Sequence, residues 1–182
     1  MKLENIGAIK QFTLPDDWQE RRTGAIIGVR WERIFQPANA PQVEINVSYR
    51  GVPLDEASRK VFAYLLSQGE KIDFDIEEVL ALRTVMGMAT TGDNQYTNTN
   101  SLDSLDGPNF DLTGLAVRSV GGRFVLRVDG TFKNRRVYTG MFYQAGSEGK
   151  MVEEFFLQAT NKDDFARYKP VFIDALDSIS WR

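Results

Sequence analysis

The chain has 182 residues, a formal net charge of −3, and neither His nor Cys. That composition excludes Ser-His-Asp and Cys-His nucleophiles, His/Cys zinc sites, Fe–S clusters and disulfides, leaving carboxylates, Lys, Tyr and Ser for any chemistry. With 42% apolar and 26% charged residues it has the balance of a globular protein, and residues 1–182 are expected to form a single domain.

In chain order, Lys10 to Leu14 reads as a short strand ending in a Pro15-Asp16-Asp17-Trp18 loop. Ile27, Val29, Trp31, Arg33 and Phe35 then alternate with Gly28, Arg30, Glu32 and Ile34, predicting a strand with one strongly apolar face. After a loop bracketed by Pro37 and Pro41, Val43, Ile45, Val47 and Tyr49 alternate with polar residues. That is the pattern of a strand with one face on a core and the other on water or polar neighbours. Leu54, Ala57, Val61, Phe62 and Leu65 follow at helical spacing, with Asp55 and Glu56 in the first turn and Gly69 as the stop. A second helix is expected from an Asp75 N-cap through Val79, Leu80 and Leu82 to about Met86.

Residues 90–108 are a tract of Thr, Asn, Asp, Gly and Ser, expected to be a flexible polar loop. From Asp111 onward the pattern is strand after strand: Leu112 to Val120, Arg123 to Phe132, Arg136 to Gln144 and Met151 to Ala159. Gly121-Gly122, Lys133-Asn134 and the segment Gly146 to Gly149 form the turns, and Asp129-Gly130 competes as a further one. This predicts an antiparallel meander. A final helix starts at Thr160 or Asn161 and carries Phe165, Tyr168, Phe172, Leu176 and Ile179 along one stripe; Pro170 is expected to kink or restart it.

Phe12-Thr13-Leu14-Pro15 with Trp18, the strand Phe155-Phe156-Leu157-Gln158-Ala159-Thr160 and the close on Asp177-Ser178-Ile179 carry a resemblance. In these residues and in its order of elements the chain resembles the Mog1/PsbP-like fold. That group includes Ran-binding Mog1 proteins, the PsbP subunit of photosystem II, DcrB and Eag-type chaperones of type VI secretion. The resemblance implies an α+β protein, a single-domain α/β/α sandwich with a mostly antiparallel sheet and a C-terminal helix packed on it. It also implies a binding protein rather than an enzyme, and it transfers no binding residue. The expected function is therefore non-enzymatic protein binding, as a bacterial secretion-associated chaperone or toxin-immunity partner. The alternative is a binder of a small ligand or lipophilic cargo in a cavity lined from Val43, Val47, Leu65 and Phe172. A carboxylate-based hydrolase is a third reading.

Charge is uneven. Residues 70–111 carry nine acids against Lys71 and Arg83, a net of −7, while residues 118–136 carry six bases against Asp129, a net of +5. Such a dipolar surface can orient a protein partner. Alternation puts Arg123, Val125 and Arg127 on one strand face, so Arg123, Arg127 and Arg136 are candidate partner-binding residues, with Trp18 as a surface anchor. The plainer account is arginine stems packed along a sheet face beneath a helix.

No catalytic, cofactor or metal residue is assigned. The carboxylate pairs Asp16/Asp17, Glu77/Glu78, Asp103/Asp106, Glu153/Glu154 and Asp163/Asp164 suit solvated or helix-start positions, and neighbours on a strand point to opposite faces. Counted from Asp93, an EF-hand loop would need Gly and Glu where Asn98 and Ser104 stand, which leaves at most an irregular calcium site. Arg123 to Val128 lacks the aromatic core of an RNA-recognition strand, so no nucleic acid is expected. No window holds the roughly 20 apolar residues of a membrane helix. MKLENIGAIKQF lacks the apolar run of a secretory leader, so the expected compartment is the cytoplasm, or the periplasm for a trimmed mature form.

Overall fold

The computed structural model describes residues 1–26, 30–49, 54–82, 110–132 and 135–182, with the backbone alone for 22–26 and 30. A hairpin opens the chain, β1 (Lys2–Ile6) with β2 (Ile9–Thr13), and β3 (Trp18–Ile26), β4 (Arg30–Pro37) and β5 (Val43–Tyr49) follow. Helix α1 (Glu56–Ser67) and a helical segment α2 over residues 76–82 precede the meander β6 (Phe110–Val120), β7 (Arg123–Phe132), β8 (Val137–Ala145) and β9 (Met151–Ala159). Helix α3 (Lys162–Asp177) and the two-residue β10 (Ser180–Trp181) end it.

Seven strands form one antiparallel sheet in the order β3-β4-β5-β9-β8-β7-β6. β1, β2 and β10 make a small second sheet. Side chains alternate across the large sheet and feed two cores. On one face Ile45, Val47, Val125, Met141, Phe155 and Leu157 meet α3 and the small sheet, with Phe12 against Phe155 and Phe155 against Phe172. On the other face Val117, Leu126, Val128, Phe142 and Phe156 meet α1 through Phe62 and Leu65. The protein is thus α+β, a sheet with helices on both faces and its C-terminal helix packed on it.

Several expected elements change. β1 precedes the first predicted strand, because left-handed Asn5 (φ 61°) and Gly7 (φ 57°) let the chain reverse where no Pro or paired Gly marks a turn. Trp18 begins β3 instead of ending a loop, and of the strand predicted over 27–35 residues 30–35 lie on β4, antiparallel to β3, while 27–29 lie outside the described residues. Asp129-Gly130 makes no turn: Asp129 pairs with Gly114 and Thr139 within the sheet. A Cβ on Gly130 would lie 2.1 Å from the Phe110 ring, so this glycine makes room for an aromatic side chain. Helix α3 runs through Pro170 as one element and does not restart there. Its N-cap is Asn161, whose side chain accepts the Asp164 N–H at 2.8 Å. The second helix's expected end near Met86 and the polar tract at 90–108 lie outside the described residues.

Candidate docking surface

Two capped helices build the outward layer on the Leu126 face of the sheet. Asp55 caps α1, its carboxylate accepting the Ser58 N–H at 2.9 Å and the Ser58 hydroxyl at 2.7 Å. Those bonds hold the Asp55 carboxyl below its usual range. Left-handed Gly69 (φ 81°) turns the chain beyond the helix. Lys71 then forms a two-way backbone bridge with Val117 of edge strand β6. At α2, Asp75 accepts the Glu78 N–H at 2.8 Å while Glu78 accepts the Asp75 N–H at 3.1 Å, a reciprocal capping box. Lys71 Nζ reaches the same Glu78 at 2.5 Å, so the turn between the helices is tied at both ends.

Between α1 and α2 lies an apolar groove of about 370 Å³, with Val61, Tyr64, Leu65 and Ala81 on its walls. Tyr64 on its wall is 62% exposed, and on α2 and the turn before it Ile72 is 60%, Ile76 70% and Leu80 50% exposed. Ile76 and Leu80 are one helical turn apart and form a stripe beside the groove. Scattered exposed apolar residues are ordinary, whereas a contiguous set is the mark of an interaction surface. The rim is acidic. Residues 70–82 carry Glu70, Asp73, Asp75, Glu77 and Glu78 against Lys71, and Asp73, Asp75 and Glu77 are exposed.

The residues expected to bind a partner lie elsewhere, and most are used within the fold. Trp18 is 2% exposed and packs edge-on against Tyr168 at 5.9 Å, so it is a core residue and not a surface anchor. The reason is that Pro15 to Asp17 turn the chain inward onto α3. Arg123 and Arg127 do share the α3 face of β7. Arg127 is largely buried, 5.7 Å from the Phe172 ring centre, and donates to the Gly140 carbonyl and the Thr139 hydroxyl, each at 3.2 Å. Burial lowers its pKa, with Asp129 opposing the shift. Arg123 lies 5.0 Å over the Trp181 ring and donates to the Arg182 main-chain oxygen at 2.6 Å. Arg136 stands beyond the far end of β7, about 30 Å from Arg123 at roughly 3.3 Å per strand residue. The three do not form one stripe; the packed-stem account describes Arg127.

Val43, Val47 and Phe172 belong to one core and Leu65 to the other, so the sheet separates the residues expected to line a common cavity. Glu153 and Glu154 point to opposite faces: Glu153 Oε2 accepts the Ala8 N–H at 2.7 Å, and Glu154 accepts the Tyr138 hydroxyl at 2.6 Å. Among the described residues no three acidic side chains cluster to hold a metal, and no helix is long and apolar enough to cross a membrane. The 93–106 tract lies outside them. Sequence reasoning missed Tyr64, Ile72 and Ile76, and no signal local to them marks an apolar residue that stays in water.

The architecture defines an α+β sandwich built on an antiparallel sheet. No family profile matches the chain, and no curated protein does. Among solved structures it is similar to the crystal structure of LpqN, involved in cell envelope biogenesis of Mycobacterium tuberculosis. The TM-score is 0.42 at 16% identity, over 99% of this chain and 90% of that one.

Proposed function

We propose that this is a non-enzymatic protein-binding protein whose partner docks on the α1–α2 layer. The observation that carries the reading is that the layer holding the apolar groove leaves Tyr64, Ile72, Ile76 and Leu80 exposed, on a segment, residues 70–82, that carries five acids against one base. An apolar centre and a charged rim are how interfaces divide affinity from orientation. The fitting partner segment is amphipathic, with an apolar stripe flanked by Lys or Arg. The resemblance to the Mog1/PsbP-like group supports the binding role, and within it a secretion-associated chaperone or immunity partner is the form proposed.

The test is affinity purification from the native source with wild type and with the Ile76→Glu/Leu80→Glu variant. Both positions are solvated, so the variant should keep the wild-type melting temperature. A partner with a basic amphipathic segment retained by wild type and lost by the variant supports the proposal. The same partners on both proteins, or none on either, would refute it.

A further inference from the structure

The groove between α1 and α2 depends on one small residue. Val61 and Leu65, one turn apart on α1, line it from one side and Ala81 of α2 from the other, and the Ala81 methyl group leaves about 370 Å³ open between the helices. Phe62, Leu65 and Leu82 on the same two helices are buried in the core, which fixes both walls. The volume is at the small end of ligand pockets, roughly 300–1,000 Å³, the scale of an inserted side chain and not of a whole helix.

Three charged residues line the groove, and two of them are matched. Lys60 bonds Glu56 at 2.6 Å, and Glu78 bonds Lys71 at 2.5 Å. Glu77 is exposed and, among the described residues, has no ion-pair or hydrogen-bond partner. Tyr64 lines the same groove with its ring 62% exposed. An aromatic face in water and an unmatched carboxylate both attract a cation, and the apolar walls beside them attract a group that carries none. Ile76 and Leu80 add area on another flank of α2. Each is one residue, about 100° around the helix, from Glu77 or Ala81, and neither lines the groove.

We infer that the groove over Ala81 takes one anchor side chain of the partner, large and apolar, with a neighbouring Lys or Arg of the partner meeting Glu77. The inference rests on the reading of the α1–α2 layer as the docking surface and names the partner residues it recognises. A central anchor in a pocket, ringed by contacts of lesser weight, is the usual division of binding energy at an interface.

The experiment is a titration of the full chain with 3-phenylpropylammonium and with 3-phenylpropionate, followed by the amide chemical shifts of Val61, Tyr64 and Ala81. Saturable shifts are expected, with the ammonium bound about two- to fivefold more tightly, the scale of one exposed ion pair. Glu77→Gln should remove that preference and keep binding of the ring. Ala81→Leu, which fills the groove, should weaken both probes at least about tenfold without lowering the melting temperature. Tyr64→Ala, a change at a largely solvated position, is the second variant and should weaken both as well. No saturation by either probe, equal binding of the two, or wild-type affinity in Ala81→Leu or in Tyr64→Ala overturns the inference. The purified partner separates it from the reading beneath it. Loss of the partner by Ala81→Leu supports the anchor. Retention by Ala81→Leu with loss by Ile76→Glu/Leu80→Glu overturns the anchor and leaves the docking surface, and retention by both removes the docking surface too.

Discussion

Arg127 holds its guanidinium 5.7 Å from the centre of the Phe172 ring, so a strand residue that reads as a surface charge is part of the contact between sheet and C-terminal helix. Its two donated bonds to Gly140 and Thr139 complete the arrangement. Arg127→Ala should therefore destabilise the fold by about 1–3 kcal/mol, through lost stem packing and a lost donor set. Urea unfolding measures it.

Trp18→Ala removes a buried indole and should cost about 3–5 kcal/mol. The same urea series checks it. The Trp18 contribution, taken as the difference between wild type and Trp18→Phe because Trp31 and Trp181 also emit, should be blue-shifted and poorly quenched by iodide; ready quenching of that difference would place this side chain at the surface.

Tyr138 donates to Glu154 at 2.6 Å inside the second core, and Gly140 leaves space for that hydroxyl, since a Cβ there would sit 2.2 Å from it. Tyr138→Phe takes a donor from a buried carboxylate and should cost about 1.5–3 kcal/mol. Gly140→Ala should be destabilising as well. In the double variant the two losses should add to less than their sum, because both act on one bond.

Asp55 and Asp164 both carry depressed pKa values, through bonds from Ser58 in the first case and from Gln42 and Asn161 in the second. A carboxylate with a lower pKa in the folded state stabilises it above the usual value of 3.8 and stops doing so as pH falls through the folded value. Stability should therefore be flat near neutrality and decline below about pH 4. In Asp55→Asn/Asp164→Asn the decline should be shallower, measured by thermal melts from pH 7 to pH 2.

Most of the fold was legible where hydrophobic period and sheet position agree. β5 was read at its observed bounds, and β6 to β9 within two residues, because these strands place Ile, Val, Leu or Phe on alternate positions. β3 was not, since Trp18 to Ile26 is an edge strand whose sequence, WQERRTGAI, has no apolar alternation. β1 and β2 place Leu3, Ile6, Ile9 and Phe12 in the core at intervals of three, a spacing produced by the reversal at Asn5 and Gly7 and foreign to a plain strand. Asn46, Ser48, Glu154 and Gln158 look like solvent-facing residues yet are 1–3% exposed, because the sheet is covered on both faces. The candidate surface was legible only in its acidity. Nothing local to Tyr64 or Ile76 distinguishes an apolar residue bound for the core from one left in water; that depends on how α1 and α2 lie against β6 and β7.

Amide hydrogen exchange of the protein alone and with its purified partner tests the docking surface most directly. The account predicts slowed exchange in residues 60–82, the stretch holding Tyr64, Ile72, Ile76 and Leu80. Slowing confined to the Arg123–Phe132 strand or to the β3 edge, with residues 60–82 unchanged, would contradict it.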